Sequence, residues 1–530
     1  MMHANLWRMF LCVFLFAFYS CSKSKVDPGV KPGPDPDPKP TEITNPWNKN
    51  PYKLNVFYFV PNDVDTFANF KNRLSQILLR GQKEFADDME KDGYGRKSFG
   101  LNLINDKTVN VIYLKGKFGK EKYMYDGGGP NIKAEVDAYF TQNPDDKKSV
   151  HNLIIVPAYD LSDPYRPSGP PYYGSGTYCY ALDFQYLDVN YLGTSGARGN
   201  SATVFIGGLL HELGHGLNAS HDKMIKSMVP SRGTSLMSDG NYTYGKSLTT
   251  LSRSSTATFN SSQTFSTETR SDWYTTVNNE ITELSVKYEN GSIVIDGKFQ
   301  SSKKVNDIIV WNDPAPFGAA NTDYDAVSWS GKVVGTDGFH FVCPLTDFYK
   351  LEGDYQLRIG FVHENGTRTN FGYNYSFVNS IPQISGVAVH TLEPTTGWSI
   401  LGKDSEEWDG IASSILDNNR NTFWHSTWRA GQPTHPHWVA VDMGEVRSFK
   451  GLAFRQRDNL NGALKDVKVY QSTNGTEWTL LKTFQLPNVN GSWINIDLGS
   501  TISTRYLKIE SQNSWGDFYY ANLADFGIYK

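Results

Sequence analysis

Residues 211–222 read His211-Glu212-Leu213-Gly214-His215-Gly216-Leu217-Asn218-Ala219-Ser220-His221-Asp222. A helical pattern covers residues 204–218, and on a helix His211 and His215 project from one face about one turn apart. Two imidazoles placed so can share one tetrahedral ion, and Glu212 beside them can take a proton from metal-bound water. His221 can join them only if the helix ends and the chain bends back. Asn218 tolerates the positive φ that such a bend needs.

This stretch resembles the metzincin clan of zinc endopeptidases, whose signature is HExxHxxGxxH followed by a Met-containing turn. The resemblance implies that His211, His215 and His221 bind zinc and that Glu212 is the general base of peptide hydrolysis. Asn218 replaces the signature Gly. Asp222 matches the acidic residue that follows the third His in the adamalysin-like branch.

The downstream turn is best matched by Ser235-Leu236-Met237-Ser238, which gives Met237 a supporting role beneath the metal. Tyr242 and Tyr244 follow this turn. They are candidates for lining the substrate pocket or stabilising the oxyanion, with packing in the core as the alternative. Asp239 stands where some branches of the clan place a zinc-binding Tyr, so the resemblance supplies no residue for a fifth ligand.

The N-terminus reads as a targeting segment, with Arg8 followed by a short apolar run over residues 9–18 and then Tyr19-Ser20-Cys21. It resembles a bacterial lipoprotein signal peptide, which implies cleavage after residue 20 and a lipid on Cys21; ordinary secretory cleavage without a lipid is the alternative. Residues 21–50 are dense in proline and predict an extended tether. The resulting expectation is an exported lipoprotein held on the outer membrane by its lipid anchor only.

Residues 51–278 alternate strands and helices, which predicts an α/β catalytic domain. Strands are expected at 54–60, 109–114 and 153–157, and helices at 64–89, 132–140 and 204–218. The Ser/Thr-rich stretch 247–265 fits a solvated linker or a closing helix equally well. Residues 279–382 carry short alternating segments and no motif with chemistry, so we expect an Ig-like β-sandwich spacer.

Residues 383–530 form a second all-β region, rich in tryptophan. Three motifs, at 415–426, 436–444 and 464–470, resemble the coagulation factor 5/8 type C (discoidin) family. That resemblance implies a β-sandwich jelly roll, which in bacteria often binds carbohydrate.

Two further sites carry over from this family. Asp417, Asn419, Thr422 and the late acid Asp525 match a structural calcium loop, with an ordinary Asx-rich turn as the alternative. Aromatic side chains could stack on a sugar ring and polar ones could bind its hydroxyl groups. The candidates are Trp515, Phe518, Tyr519, Arg457 and His425.

The composition restricts the partners. The 530 residues carry a formal charge of −4 without a long basic block, which argues against nucleic acid as a ligand. After loss of the signal peptide and lipidation, Cys179 and Cys343 remain, and both are expected to be buried and unpaired.

The leading hypothesis is therefore a monomeric, surface-anchored zinc endopeptidase that acts on proteins or glycoproteins. The alternatives are a catalytically inactive carbohydrate-binding adhesin and a glycosidase with an appended sugar-binding module. Glu212 argues against the first, and the lack of a recognisable carboxylate pair argues against the second.

Overall fold

The structure is a computed structural model that describes residues 44–314, 323–384, 387, 389–429 and 434–530. The predicted signal peptide, Cys21 and most of the tether lie outside these residues. Within them no helix is long and apolar enough to cross a membrane. Cys179 and Cys343 are buried and unpaired, as predicted.

The first domain is built on a five-stranded sheet in the order β4-β1-β5-β7-β6, parallel except for β6. Its elements are β1 (Asn55–Val60), α1 (Phe70–Lys91), β2 (Leu103–Asn105), β3 (Thr108–Val109), β4 (Ile112–Lys115), α2 (Gly128–Gln142), β5 (Asn152–Pro157), β6 (Gly174–Ser175), β7 (Tyr178–Asp183), α3 (Gly196–Gly216), α4 (Val229–Arg232), β8 (Thr234–Ser235), α5 (Gly240–Thr243), β9 (Thr249–Thr250) and α6 (Arg253–Asn260). Strands β1, β5 and β7 are buried throughout because α1 and α3 pack on one face of the sheet and α2 on the other.

Several predicted boundaries shift. Helix α1 starts six residues after its predicted start, because Asn69 has a left-handed φ of 57° that a helix cannot contain. The predicted strand 109–114 is divided into two strands. Strand β3 pairs with β2, and β4, which follows it, pairs with β1. Strand β7 lies in a stretch that the sequence reads as a loop. The Ser/Thr-rich stretch contains the closing helix α6, whose polar side chains are buried.

The second domain packs a three-stranded sheet, β10-β11-β14, on a five-stranded one, β13-β12-β15-β16-β17, and all pairings are antiparallel. Its strands are β10 (Asn279–Glu289), β11 (Ser292–Ser301), β12 (Val305–Asp313), β13 (Val327–Gly331), β14 (Gly338–Pro344), β15 (Gly353–His363), β16 (Arg368–Val378) and β17 (Ile381–Gln383). It matches the predicted β-sandwich in type.

The third domain is also all-β. Its main sheet has the order β18-β20-β23-β21-β22, with β25 paired to β20, and β19 pairs with β24. The strands are β18 (Ser399–Lys403), β19 (Trp424–His425), β20 (His437–Arg455), β21 (Asp466–Ser472), β22 (Thr479–Gln485), β23 (Trp493–Ser511), β24 (Asn522–Leu523) and β25 (Asp525–Tyr529). Trp424 is fully buried in its core.

The middle domain contacts both of its neighbours through polar side chains. Toward the first domain, Ser328 Oγ donates to Asp222 Oδ2 at 2.7 Å, and Lys223 pairs with Asp325 at 2.8 Å. Toward the third, the buried Arg455 forms a two-pronged ion pair with Glu280. The middle domain therefore helps to hold the loop that carries Asp222 and Lys223, which the predicted role of a spacer did not include.

Candidate metal centre and cleft

Helix α3 carries the first two histidines, and its glycines let it pack closely on the rest of the site. A Cβ on Gly214 would lie 2.3 Å from Met237 Sδ, and one on Gly216 would lie 2.5 Å from Cys179 Sγ. The helix ends at Gly216, and Asn218 has a φ of 75°, as the sequence predicted. The chain turns back there and brings His221 to the helix.

The three imidazoles converge on one point. The Nε2 atoms of His211 and His215 are 3.2 Å apart, those of His211 and His221 are 3.1 Å apart, and those of His215 and His221 are 2.9 Å apart. Nitrogens bound tetrahedrally to zinc at about 2.0–2.1 Å would be separated by about 3.3 Å. The observed triangle is slightly tighter than that and has the right shape.

The opposite ring nitrogens set the tautomers of two of these histidines. His211 Nδ1 donates to the carbonyl oxygen of Leu236 at 2.7 Å, and His215 Nδ1 donates to that of Ala219 at 2.9 Å. Carbonyl oxygens only accept, so both Nε2 atoms present lone pairs toward each other. Burial lowers the pKa of His211 to about 3 and also lowers that of His215. Neutral imidazoles whose lone pairs meet at one point fit a zinc ion and repel one another without a cation.

Two side chains support this centre from behind. Met237 is fully buried against Gly214, and its backbone oxygen accepts a hydrogen bond from the backbone of Asp222. The buried Asp222 carboxylate accepts hydrogen bonds from Ser235, Ser252 and Ser328. The Met237 turn, the start of α6 and the middle domain are therefore all tied to the residue after His221.

Glu212 faces an open cleft of about 790 Å³, which His215 and His221 also line. Burial raises the pKa of Glu212 to about 8, opposed by a hydrogen bond with the backbone of Gly174 on the edge strand β6. A Cβ on Gly174 would lie 2.3 Å from His215 Cβ, so only glycine lets the strand approach the helix this closely. The Glu212 carboxylate and the point where the three Nε2 atoms converge therefore border the same solvent-accessible space.

The middle domain supplies one wall of the cleft. Tyr324 stacks on His221 with ring centroids 3.8 Å apart, and Thr367, Arg368 and Asn370 lie further along this wall. No local sequence signal marks these residues, because they come from a different domain and follow no motif.

The two tyrosines that follow the Met237 turn lie in different surroundings. Tyr244 is buried, donates a hydrogen bond to Glu84 and lies under Arg80, so it belongs to the core. Tyr242 is 62% exposed and is not among the described residues that line the cleft. Tyr244 therefore has the packing role that was the alternative, whereas Tyr242 lies at the surface within electrostatic range of Tyr324, which lines the cleft.

The predicted calcium loop has two kinds of contact. Asp417 accepts hydrogen bonds from Asn419 N at 2.9 Å and from Thr422 Oγ1 at 2.7 Å, as an Asx-type turn does. Asp525 is 1% exposed, and burial together with the nearby Asp417 raises its pKa to about 7, against the effect of Arg455. Its Oδ1 is buried without a hydrogen-bond partner in the described structure. An unpartnered carboxylate oxygen beside a second carboxylate fits a calcium ion.

The predicted glycan-binding residues divide into two groups. His425 packs on Tyr520, which stacks on Phe518, and Tyr519 donates a hydrogen bond to the backbone oxygen of Trp428. Arg457 lies over the ring of Phe423, which contacts the ring of His425 two residues later. Trp515 instead donates its indole N–H to Leu486 O at 2.9 Å beneath Lys465, as a packing residue does.

Comparison with known proteins identifies the C-terminal domain. Residues 395–525 match the F5/8 type C domain family. A sialidase from Micromonospora viridifaciens is 42% identical over 85 residues, and a galactose oxidase from Gibberella zeae is 31% identical over 112 residues. These matches cover 15% and 21% of this chain but only 13% and 15% of those enzymes.

One solved structure matches the chain well beyond the C-terminal domain. The crystal structure of OgpA from Akkermansia muciniphila is 32% identical, with a TM-score of 0.60, and the match covers 62% of this chain and 94% of OgpA. That share is larger than residues 395–530 could supply, so most of the match precedes the F5/8 type C domain. Catalytically inactive OgpA has also been crystallised with an O-glycopeptide substrate.

Proposed function

Because this chain belongs to the same family as OgpA, we propose that it is a zinc-dependent endopeptidase that cleaves the peptide chain of O-glycosylated proteins. The observation that carries the proposal is the convergence of three Nε2 atoms within 3.2 Å of one another beside Glu212 in an open cleft. The recorded substrate of OgpA supports the choice of glycoprotein over plain protein.

His211, His215 and His221 would hold the zinc ion. Bound zinc would supply a Lewis acid that polarises the scissile carbonyl group. Glu212 would take a proton from a water molecule in the cleft and pass it to the departing amine nitrogen. Leu236 O and Ala219 O keep the first two imidazoles oriented during this transfer.

The test is the replacement Glu212→Ala. We expect zinc binding to persist, because the three imidazoles and their carbonyl partners are unchanged, and cleavage of an O-glycopeptide to fall by at least about a hundredfold. Metal content is measured by mass spectrometry and cleavage by chromatography of the products. His215→Ala should lose both zinc and activity.

Glu289→Gln is the matched control, since Glu289 is an exposed carboxylate on β10, far along the chain from α3. It should retain full activity. Wild-type turnover in Glu212→Ala would contradict the proposal. A wild-type protein that binds glycans and zinc but cleaves no glycopeptide would favour the inactive adhesin instead.

We propose that the F5/8 type C domain holds the enzyme on glycans, through His425, Arg457, Phe518 and Tyr519. The cluster around Tyr520 offers aromatic faces and hydrogen-bond donors together, as sugar rings require. Full-length Glu212→Ala protein should bind at least one glycan of a glycan array. Arg457→Ala, added to that variant, should weaken this binding about tenfold or more. Unaltered binding by Arg457→Ala would place the glycan site elsewhere.

We also propose that a lipid on Cys21 anchors the protein to the outer membrane. The support is the sequence pattern alone, since Cys21 lies outside the described residues. Metabolic labelling with a fatty-acid analogue should mark the wild-type protein and leave Cys21→Ser unlabelled.

A further inference from the structure

A second cavity, of about 160 Å³, lies where the three domains meet. It is next to the cleft lined by Glu212, His215 and His221, called the metal cleft below. Ser220 borders it from the metal loop, Arg358 and Arg368 from the middle domain, and Asn488 and Asn490 from the F5/8 type C domain. Arg368 and Asn370 line both this cavity and the metal cleft. A group bound in the cavity would therefore be next to a substrate in the cleft.

Arg368 brings a positive charge to this place and forms no ion pair within the described residues, although the nearby carboxylate of Asp323 favours its charged form. Its Nη2 donates to Ser220 Oγ at 2.7 Å and its Nη1 to Asn218 O at 3.3 Å, both uncharged acceptors. Its Nε is buried and has no hydrogen-bond partner in the described structure. The internal segments that the structure does not describe, 315–322, 385–386, 388 and 430–433, contain no acidic residue that could pair with it.

Arg358 adds a second guanidinium that is only partly neutralised. Its Nη1 donates to Asp323 at 2.6 Å, while its Nε and Nη2 are buried without hydrogen-bond partners in the described structure. Asp313 lies 3.9 Å from Nη2, and burial together with Asp323 raises the pKa of that carboxyl group. Burial and Arg358 lower the pKa of Arg368 to about 10, so it stays charged at neutral pH. Both guanidinium groups lie over the ring of Trp311, whose indole N–H is buried and has no hydrogen-bond partner in the described part of the chain.

We propose that Arg368 and Arg358 bind an oxyanion carried by the substrate, a carboxylate or a sulfate group, beside the metal cleft. A guanidinium presents paired donors that match such groups, and buried donors without partners are costly. The cavity has room for a charged substituent together with water molecules. The inference rests on the proposed function and names the charge class of its substrate.

The experiment uses zinc-loaded, full-length Glu212→Ala protein and three O-glycopeptides of one sequence, with binding measured by calorimetry. One carries a neutral glycan, one the same glycan with an acidic sugar, and one the neutral glycan with a glutamate in the peptide. At least one acidic form should bind about tenfold more tightly than the neutral form, and which one does distinguishes a glycan from a peptide source of the charge.

Arg368→Gln should abolish this preference, Arg368→Lys should restore part of it, and Arg505→Gln, on the surface of the third domain, should leave it intact. Arg358→Gln is the second variant, because within the described residues Arg358 makes no hydrogen bond to the loop that carries Ser220 and His221, and it too should lower the preference. Loss of affinity for all three peptides to the same extent in both variants would overturn the inference and indicate a structural role. Absence of binding to every peptide, together with no cleavage by the wild-type enzyme, would overturn the proposed function as well.

Discussion

Asp525 shows how a single buried oxygen can distinguish two interpretations of a loop. The hydrogen bonds of Asp417 satisfy the loop without any metal, as an Asx-rich turn would. The Oδ1 of Asp525 has no such partner in the described structure, and a buried carboxylate oxygen in that state lowers stability. A calcium ion would supply the missing positive charge, so we propose that this loop binds calcium through Asp417, Asn419, Thr422 and Asp525.

The prediction is that calcium raises the melting temperature of the protein. At a free concentration a hundred times the dissociation constant, the gain is roughly 2.7 kcal/mol. Calcium-free, zinc-loaded protein is titrated with calcium in a scanning calorimeter. Asp525→Asn should lose the response, whereas Asp497→Asn, in an exposed position of the same domain, should keep it. A calcium response that survives in Asp525→Asn would exclude this loop as the site.

At the scale of elements, the sequence was informative wherever the signal is local. The three histidines and Asn218 lie within eleven residues, so helical spacing and one positive φ were enough to predict that the imidazoles meet. Strand β7 was missed because glycine, tyrosine and proline surround it, although its six residues are all buried.

Helix α6 could not be assigned from its own residues. Its Ser and Thr side chains are buried, and the hydrogen-bond acceptors that make this possible are distant in sequence. Ser252, at the N-cap, donates to Asp222, and Thr256 donates to Asp92. The same limit applies to the cleft. Tyr324 and Arg368 reach it from the middle domain, more than 100 residues after the first histidine, and no motif marks them.

At the scale of the whole molecule, the third domain is held to the second by a charged group that has no access to solvent. Arg455 is 0% exposed and donates to Glu280 at 2.9 and 2.7 Å and to Asp525 at 3.3 Å, with the ring of Trp493 at 4.3 Å. Removing one partner of a buried ion pair leaves a charge with too little compensation. This contact positions the F5/8 type C domain, and with it Asn488 and Asn490 in the wall of the cavity that Arg358 and Arg368 border.

Glu280→Gln should therefore lower the free energy of unfolding by about 1–2 kcal/mol, less than a fully buried pair would lose because the Glu280 side chain is 33% exposed. Glu283→Gln is the matched control on the same strand, since its partner Lys298 is exposed and such pairs contribute roughly 0–1 kcal/mol. Urea denaturation measures both variants. Calorimetry should also show the third domain unfolding at a lower temperature than the rest in Glu280→Gln.

If the two variants lose equal stability, Arg455 does not couple the domains. In that case the acidic preference assigned to Arg368 should not change in Glu280→Gln. If Arg455 does couple the domains, that preference should weaken, because Asn488 and Asn490 would no longer be held against the cavity.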